Sequence, residues 1–420
     1  MNNPYSVVTT IKSYDVIIVG ASFAGSTLAI ELGQSGFQVL LLDQMSFPET
    51  SSRTYPFFNS AVNLLKKLNL ESYLEEIDSP TVPQILFQFD EVCIKGEVPV
   101  VNKESRNYGV KRSDLDFVLF KKAISFENVT CLQGFQVTKL LRQMDQVVGI
   151  AGVNRLGETF QYTAKMVIGA DGRNSIVRRE LNLQPMLNLE SDYAYFHGSL
   201  SGLEPLNPLH FEVYRVLDQI LAVFPTTKNQ YGVYVIFPHS KQSWMEAFKQ
   251  SSEDAFLRYL ETEFSQINFQ HRLKHAKLTT RVESLTDYSN YWYEGLGKGW
   301  ALVGDAVIFK EPCLGQGVHD AIYAGRYLAE LLKKYPDWIY SSSTLAYEYN
   351  RHLVEKFKGP FDLSGVLTKQ QKLTAEEKMM HQMISAYPEA TEKFLGIFNY
   401  ANNMNELNST IEQIVKSKTT

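Results

Sequence analysis

Cysteine is scarce in this sequence, long apolar runs are missing, and positive charge is not in excess. Each shortfall removes a class of protein. Three cysteines, Cys93, Cys131 and Cys313, are scattered over 420 residues and never form C-x-x-C. That pattern argues against a disulfide framework and a zinc site, and it fits a reducing cytoplasm. No stretch reaches the roughly 18 uninterrupted apolar residues of a membrane-spanning helix, so no integral membrane segment is expected. The N-terminal region also lacks the apolar core and small-residue cleavage site of a signal peptide. Forty-one basic against 46 acidic residues give a formal charge of −5, spread without long runs. A nucleic-acid partner is therefore not expected.

What is present is core-forming material, 44% hydrophobic, enough for one large or two ordinary domains. Residues 17 to 43, "IIVGASFAGSTLAIELGQSGFQVLLLD", read as strand, glycine turn, helix and a second strand ending in an acid. Further buried strands are expected at "MVIGADG" near 168 and "WALVGDA" near 302, each leading into a helix opening. Between them, residues 193 to 238 hold four strand-like runs, and "QILFQFDEVCIKGEVPVV" at 84 to 101 reads as a hairpin turning at Gly96. The expected fold is α/β: a discontinuous Rossmann-like domain (1–80, 105–190 and 281–350) with an inserted antiparallel β-sheet domain (81–104 and 191–280) and a C-terminal helical tail (351–420).

Three short constellations carry the chemistry. The first turn has Gly20, Ser22, Phe23, Ala24 and Gly25, small enough at the critical positions for a pyrophosphate to approach the N-terminal N–H groups of a helix. Ser22 stands where three-glycine fingerprints have the central glycine, and its hydroxyl is expected near the pyrophosphate. Asp43 lies 23 residues after Gly20, close to the offset at which an acid meets ribose hydroxyls. The second is Asp171–Gly172 at a strand end. The third is Gly304–Asp305 followed by Pro312 and Gly315–Gln316–Gly317, an anion-ready helix N-terminus preceded by an acid.

In order, these motifs and Arg112/Leu115/Asp116 in "VKRSDLD" resemble the class A flavin-dependent monooxygenases, the para-hydroxybenzoate hydroxylase-like superfamily, over roughly residues 14 to 335. The resemblance implies FAD, with Asp43 at the adenosine ribose, Arg112 at the pyrophosphate or ribose side, Val137 beside the adenine and Asp305 at the ribityl chain. It places the 312–317 turn at the isoalloxazine and gives Asp171 and Gly172 a part in both FAD binding and nicotinamide access. Arg53 is then a flavin-edge residue or a solvated loop arginine. NAD(P)H is implied as a transient co-substrate, since "EGLGKGW" precedes a strand and opens no second nucleotide helix. The implied reaction is hydroxylation of a small apolar or aromatic molecule of secondary metabolism by O2, through a flavin C4a-hydroperoxide. "GDAVIFKEP", with Val307 and Ile308, departs from the G-D-A-A-H of many hydroxylases.

The expected pocket wall is the aromatic face of the inserted sheet, Tyr195, Phe211, Tyr214, Phe224 and Tyr234. His197 and Arg215 on those strands either orient a phenol or carboxylate or are ordinary satisfied side chains. His271 and His275, at i and i+4 among cations, read as a charged helix face. "KFLGIFNYANNM" is expected to pack as core, to dock on the sheet and close the pocket, or to bury a homodimer contact. Three rival activities share the motifs: a halogenase, an isoprenoid C=C reductase, and a flavin-binding protein without turnover. Trp244, Trp292, Trp300 and Trp338 are never two apart, which disfavours the tryptophan-type halogenases.

Overall fold

A computed structural model describes residues 12–48, 51, 53–335, 337–369 and 372–419. The polar N-terminal residues 1–11 and three positions of the 48–56 loop lie outside them. The strand Ser13–Val19 sits in the middle of the principal sheet, parallel to Val39–Asp43 on one side and to Thr159–Gly169 on the other. Val129–Gln133 extends the sheet beyond Val39–Asp43, and Trp300–Leu302 pairs in parallel beyond Thr159–Gly169. Val16, Ile17 and Ile18 are fully buried, as a strand covered on both faces requires. The helix Phe23–Gln34 is buried from Phe23 through Gly33, packed between Gly317–Lys334 and Arg112–Ala123. Its apolar all-round sequence is thus explained by burial rather than by a single wet face.

The second large sheet runs, in spatial order, Lys277–Leu278, Tyr193–Ser201, Gln230–Pro238, Gln219–Thr226, His210–Val216, Gln84–Phe89 and Val92–Glu97. It is antiparallel with one exception: His210–Val216 and Gln84–Phe89 run parallel. The chain leaves between these two strands and returns more than a hundred residues later, so no hairpin constrains their direction. One face packs on the helices Gln242–Gln250 and Ser252–Glu263 through Phe196, Phe237, Phe248 and Tyr259. The other faces the nucleotide half and the C-terminal helices. The hairpin turn lies at Asp90–Glu91, with Asp90 at φ 49°, and not at Gly96. Gly96 sits inside a strand because a Cβ there would stand 3.2 Å from Leu395 of the tail helix Pro388–Phe398.

Candidate active site

One cavity of 820 Å³ joins the C-terminal ends of the parallel strands to the inner face of the second sheet. On the nucleotide side it is lined by Gly20, Ser22, Phe23, Ala24, Asp43, Arg112, Val137, Asp171, Gly172, Gly304, Asp305, Pro312, Gly315 and Gly317. Residues up to three hundred positions apart converge because Gly20, Asp43, Asp171 and Gly304 each stand at the end of a strand of one parallel sheet, where open α/β folds place their ligands.

Local chemistry fixes each turn. Gly20 adopts φ 104°, and a Cβ there would meet the Ala170 carbonyl oxygen at 2.4 Å. The Ala21 N–H donates to Asp43 Oδ2 at 2.8 Å and the Met45 N–H to Asp43 Oδ1 at 2.8 Å, so the acid is oriented by the backbone it follows. Asp171 accepts from the Ile176 N–H at 2.7 Å. Its other oxygen, Oδ1, is buried without a hydrogen-bond partner among the described residues. Burial raises the Asp171 pKa against the pull of these hydrogen bonds. Asp305 is raised for the same reason, opposed by Arg112 and Arg173. A Cβ added at Gly317 would meet nothing within 4 Å, which leaves the start of helix Gly317–Lys334 open for close approach.

Three expected residues do something other than line the cavity. Gly25 packs: a Cβ there would stand 1.8 Å from the Gly20 carbonyl oxygen, so its absence lets the helix lie against the strand. Gln316 turns its side chain away, donating to the Ile397 carbonyl at 2.9 Å and accepting from Lys310 Nζ at 2.7 Å. Arg215 is buried within the electrostatic reach of Tyr193, Cys313 and His381, outside the cavity wall.

Ser22 Oγ donates to Asp116 Oδ1 at 2.6 Å and accepts from Arg112 Nη2 at 3.2 Å, while Arg112 Nε donates to Asp116 at 3.1 Å. The hydroxyl expected at the pyrophosphate is therefore engaged by the Arg112–Ala123 helix, tying the turn to it. Ser22→Gly should retain FAD with at most about thirtyfold weaker binding, the loss of two hydrogen bonds of ~1 kcal/mol each. Ser22→Leu forces a four-carbon side chain against the Arg112–Asp116 pair and should purify without flavin. Fluorescence titration of the apoproteins with FAD measures both, and equal affinities for Leu and Gly would refute this role.

On the sheet side the cavity is lined by Tyr195, His197, Tyr234, Arg53 and Glu283. Arg53 Nε donates to Glu283 Oε2 at 2.8 Å, so Arg53 is an ion-paired residue of the wall that keeps about a third of its side chain open to solvent, 35%. The Tyr234 hydroxyl donates to the Thr54 carbonyl at 2.6 Å, and the His197 ring lies 4.4 Å from the Tyr234 ring. His197 is 3% exposed, with both ring nitrogens buried and unpartnered among the described residues. Its pKa is pushed down to about 3, mainly by burial, with Glu283 opposing and Arg53 adding. The imidazole is neutral at pH 7. Of the other expected wall aromatics, Phe211 and Phe224 pack against the layer that holds the C-terminal helices, and Tyr214 points to the opposite face, donating to Glu212 at 2.6 Å.

Sequence reasoning missed Glu283, Lys310, Glu311 and Asp320, all of which line the cavity. Lys310 and Glu311 interrupt an apolar stretch between two site motifs, a signal that charge there has a partner. Glu311 accepts from the Tyr288 hydroxyl at 2.6 Å and is held protonated well above the usual carboxyl range by burial.

The sequence model of a family described as FAD binding domain matches residues 13–356. The chain belongs to this family. Among relatives of this FAD-binding protein is a 1H-pyrrole-2-carbonyl peptidyl-carrier-protein brominase of Pseudoalteromonas luteoviolacea, 25% identical over 338 residues, 77% of this chain and 78% of the relative. A squalene monooxygenase of Mus musculus is 23% identical over 345 residues, 77% of this chain and 55% of that one. Among solved structures, a flavin-dependent brominase superposes with a TM-score of 0.76 at 18% identity, over 97% of this chain and 99% of the other. The protein is a FAD-dependent oxidoreductase of the monooxygenase and halogenase group. The glycine turn, the Asp43 carboxylate at a strand end and the open start of helix Gly317–Lys334 fit a dinucleotide of this shape.

Proposed function

We infer that the protein is an NAD(P)H-dependent FAD monooxygenase that hydroxylates a small, apolar or aromatic molecule with O2. The observation that carries this reading is the continuous cavity that runs from the nucleotide turns to a wall of Tyr195, Tyr234 and neutral His197. When bound, FAD supplies the oxygen chemistry. The chain's own residues do the rest. Tyr195 and Tyr234 offer ring faces to a flat substrate, and the neutral His197 ring backs Tyr234 at 4.4 Å without placing a charge in the wall. The 312–317 turn presents backbone N–H groups where negative charge grows on reduction. Buried aromatic walls exclude bulk water, which protects reactive oxygen species from wasteful breakdown.

Halide transfer is the second reading, favoured by the brominase among the relatives. Both readings are separated by one experiment on the yellow, FAD-loaded protein. A panel of phenols and pyrroles is incubated with NADH or NADPH in air, with and without bromide, and products are weighed by mass spectrometry. Monooxygenation adds one oxygen and stimulates nicotinamide oxidation by about tenfold or more when the substrate fits, a barrier change of ~1.4 kcal/mol. A bromine isotope doublet that needs bromide supports the halogenase instead. Flavin that neither nicotinamide reduces, with every compound present, would remove the NAD(P)H-dependent reading.

A further inference from the structure

The family match ends at residue 356, yet the chain continues for more than sixty residues and returns to two residues of the cavity wall, Lys310 and Asp320. The tail helix Pro388–Phe398 is followed two residues on by Tyr400, which takes the left-handed conformation at φ 61°. A tyrosine adopts that geometry only where its surroundings over-determine it. Here they do. The Tyr400 hydroxyl donates to Asp320 Oδ1 at 2.5 Å and accepts from Lys310 Nζ at 3.1 Å. Its ring is stacked by His319 at 4.4 Å and covered by Lys356 Nζ at 4.3 Å. Lys310 Nζ completes its donors with Asp320 Oδ2 at 2.7 Å and Gln316 Oε1 at 2.7 Å, and Gln316 in turn holds the tail through the Ile397 carbonyl.

Lys310 and Asp320 both line the cavity and flank the 312–317 turn. Burial lowers the Lys310 pKa against the pull of Asp320. For Asp320, burial pushes upward, and Lys310 with His319 carries the value down to about 2. The 2.7 Å contact pairs opposite charges that are sheltered from the screening that weakens surface pairs. With the isoalloxazine at this turn, as the family resemblance implies, reduction would add negative charge beside it, and the two charges would act on the reduced state with opposite signs.

We propose that the Lys310–Asp320 pair, clamped by Gln316 and by Tyr400 of the C-terminal tail, sets the redox equilibrium of the bound flavin, with Tyr400 as its positioning residue. The proposal rests on FAD binding with the isoalloxazine at the 312–317 turn, and not on which reaction follows. It makes the tail, beyond the family-matched region, a working part of the cofactor site.

The test is the reduced-to-oxidised ratio of bound FAD in the full-length protein, read by stepwise anaerobic reduction against a reference dye. Lys310→Met leaves Asp320 alone and should disfavour reduced flavin by about tenfold, a midpoint about 30 mV lower for a two-electron couple. Asp320→Asn should move the ratio by a similar factor in the opposite direction. Tyr400→Phe keeps the stacked ring but removes the donor that softens Asp320, so the ratio should fall about threefold. Because an unpaired buried Asp320 is costly, Lys310→Met/Asp320→Asn is the arm that keeps the test decisive. It removes both charges and should return the ratio to within about threefold of wild type. Ratios for Asp320→Asn and the double variant that match wild type within error and each other, or that fall together, would overturn the proposal, because lost packing alone moves all variants one way.

Discussion

Gly25→Ala should yield protein that purifies colourless and unfolds with ~3 kcal/mol less stability, near the upper range for overpacking. Local propensity points the other way, since alanine inside a helix is favoured over glycine by ~1 kcal/mol. The packing term wins because the added Cβ would stand 1.8 Å from the Gly20 carbonyl oxygen, a backbone atom with no rotamer to yield, and 3.2 Å from the Ala170 Cβ. The helix must therefore lift from the strand, which moves its N-terminal N–H groups away from the Gly20 turn. Gly36→Ala is the control. Its φ is 84° but nothing lies within 4 Å, so the substitution carries only the left-handed strain of ~1 kcal/mol and should leave the flavin in place. Absorbance of bound flavin and urea unfolding of both variants read the two effects. A yellow Gly25→Ala protein as stable as Gly36→Ala would show that the helix does not need this contact.

The contrast between glycines shows how far the sequence could be read. At Gly20, Asp43, Asp171 and Gly304 the demand is local: a strand ends, the backbone turns, and an acid or glycine must stand at a fixed offset. Spacing along the chain reports that directly, and these residues meet at one cavity. Gly96 carried the same kind of signal for a different reason. It looked like a turn, but its missing side chain makes room for Leu395, three hundred residues away. The real turn at Asp90 needed no glycine, because aspartate tolerates the left-handed region. Lys310, Asp320 and Tyr400 were equally hidden. Their meaning lies in a contact of a loop and a helix start with the turn after a tail helix, and none of these partners has a periodic or spacing signature of its own. Ser22 and Gln316 fall between. Ser22 lines the cavity and Gln316 does not, and their side chains bond to Asp116 and to the tail, choices made by tertiary neighbours.

His197 should make the protein acid-labile well above the range where carboxylates titrate. Its pKa is about 3 in the folded state, from burial first, against 6.5 as the reference for an unfolded chain. Between those values the unfolded state binds a proton that the folded state refuses, so stability falls as pH drops below about 6.5 and is fully present above it. At pH 4 the 2.5-unit gap amounts to ~3 kcal/mol, a large share of the net stability of an ordinary domain. His197→Phe keeps an aromatic ring against Tyr234 and cannot titrate. Wild type should therefore lose ~3 kcal/mol more than His197→Phe between pH 7 and pH 4 in urea unfolding, all other groups being common to both proteins. Parallel pH profiles would mean that the imidazole reaches water or a partner when protonated.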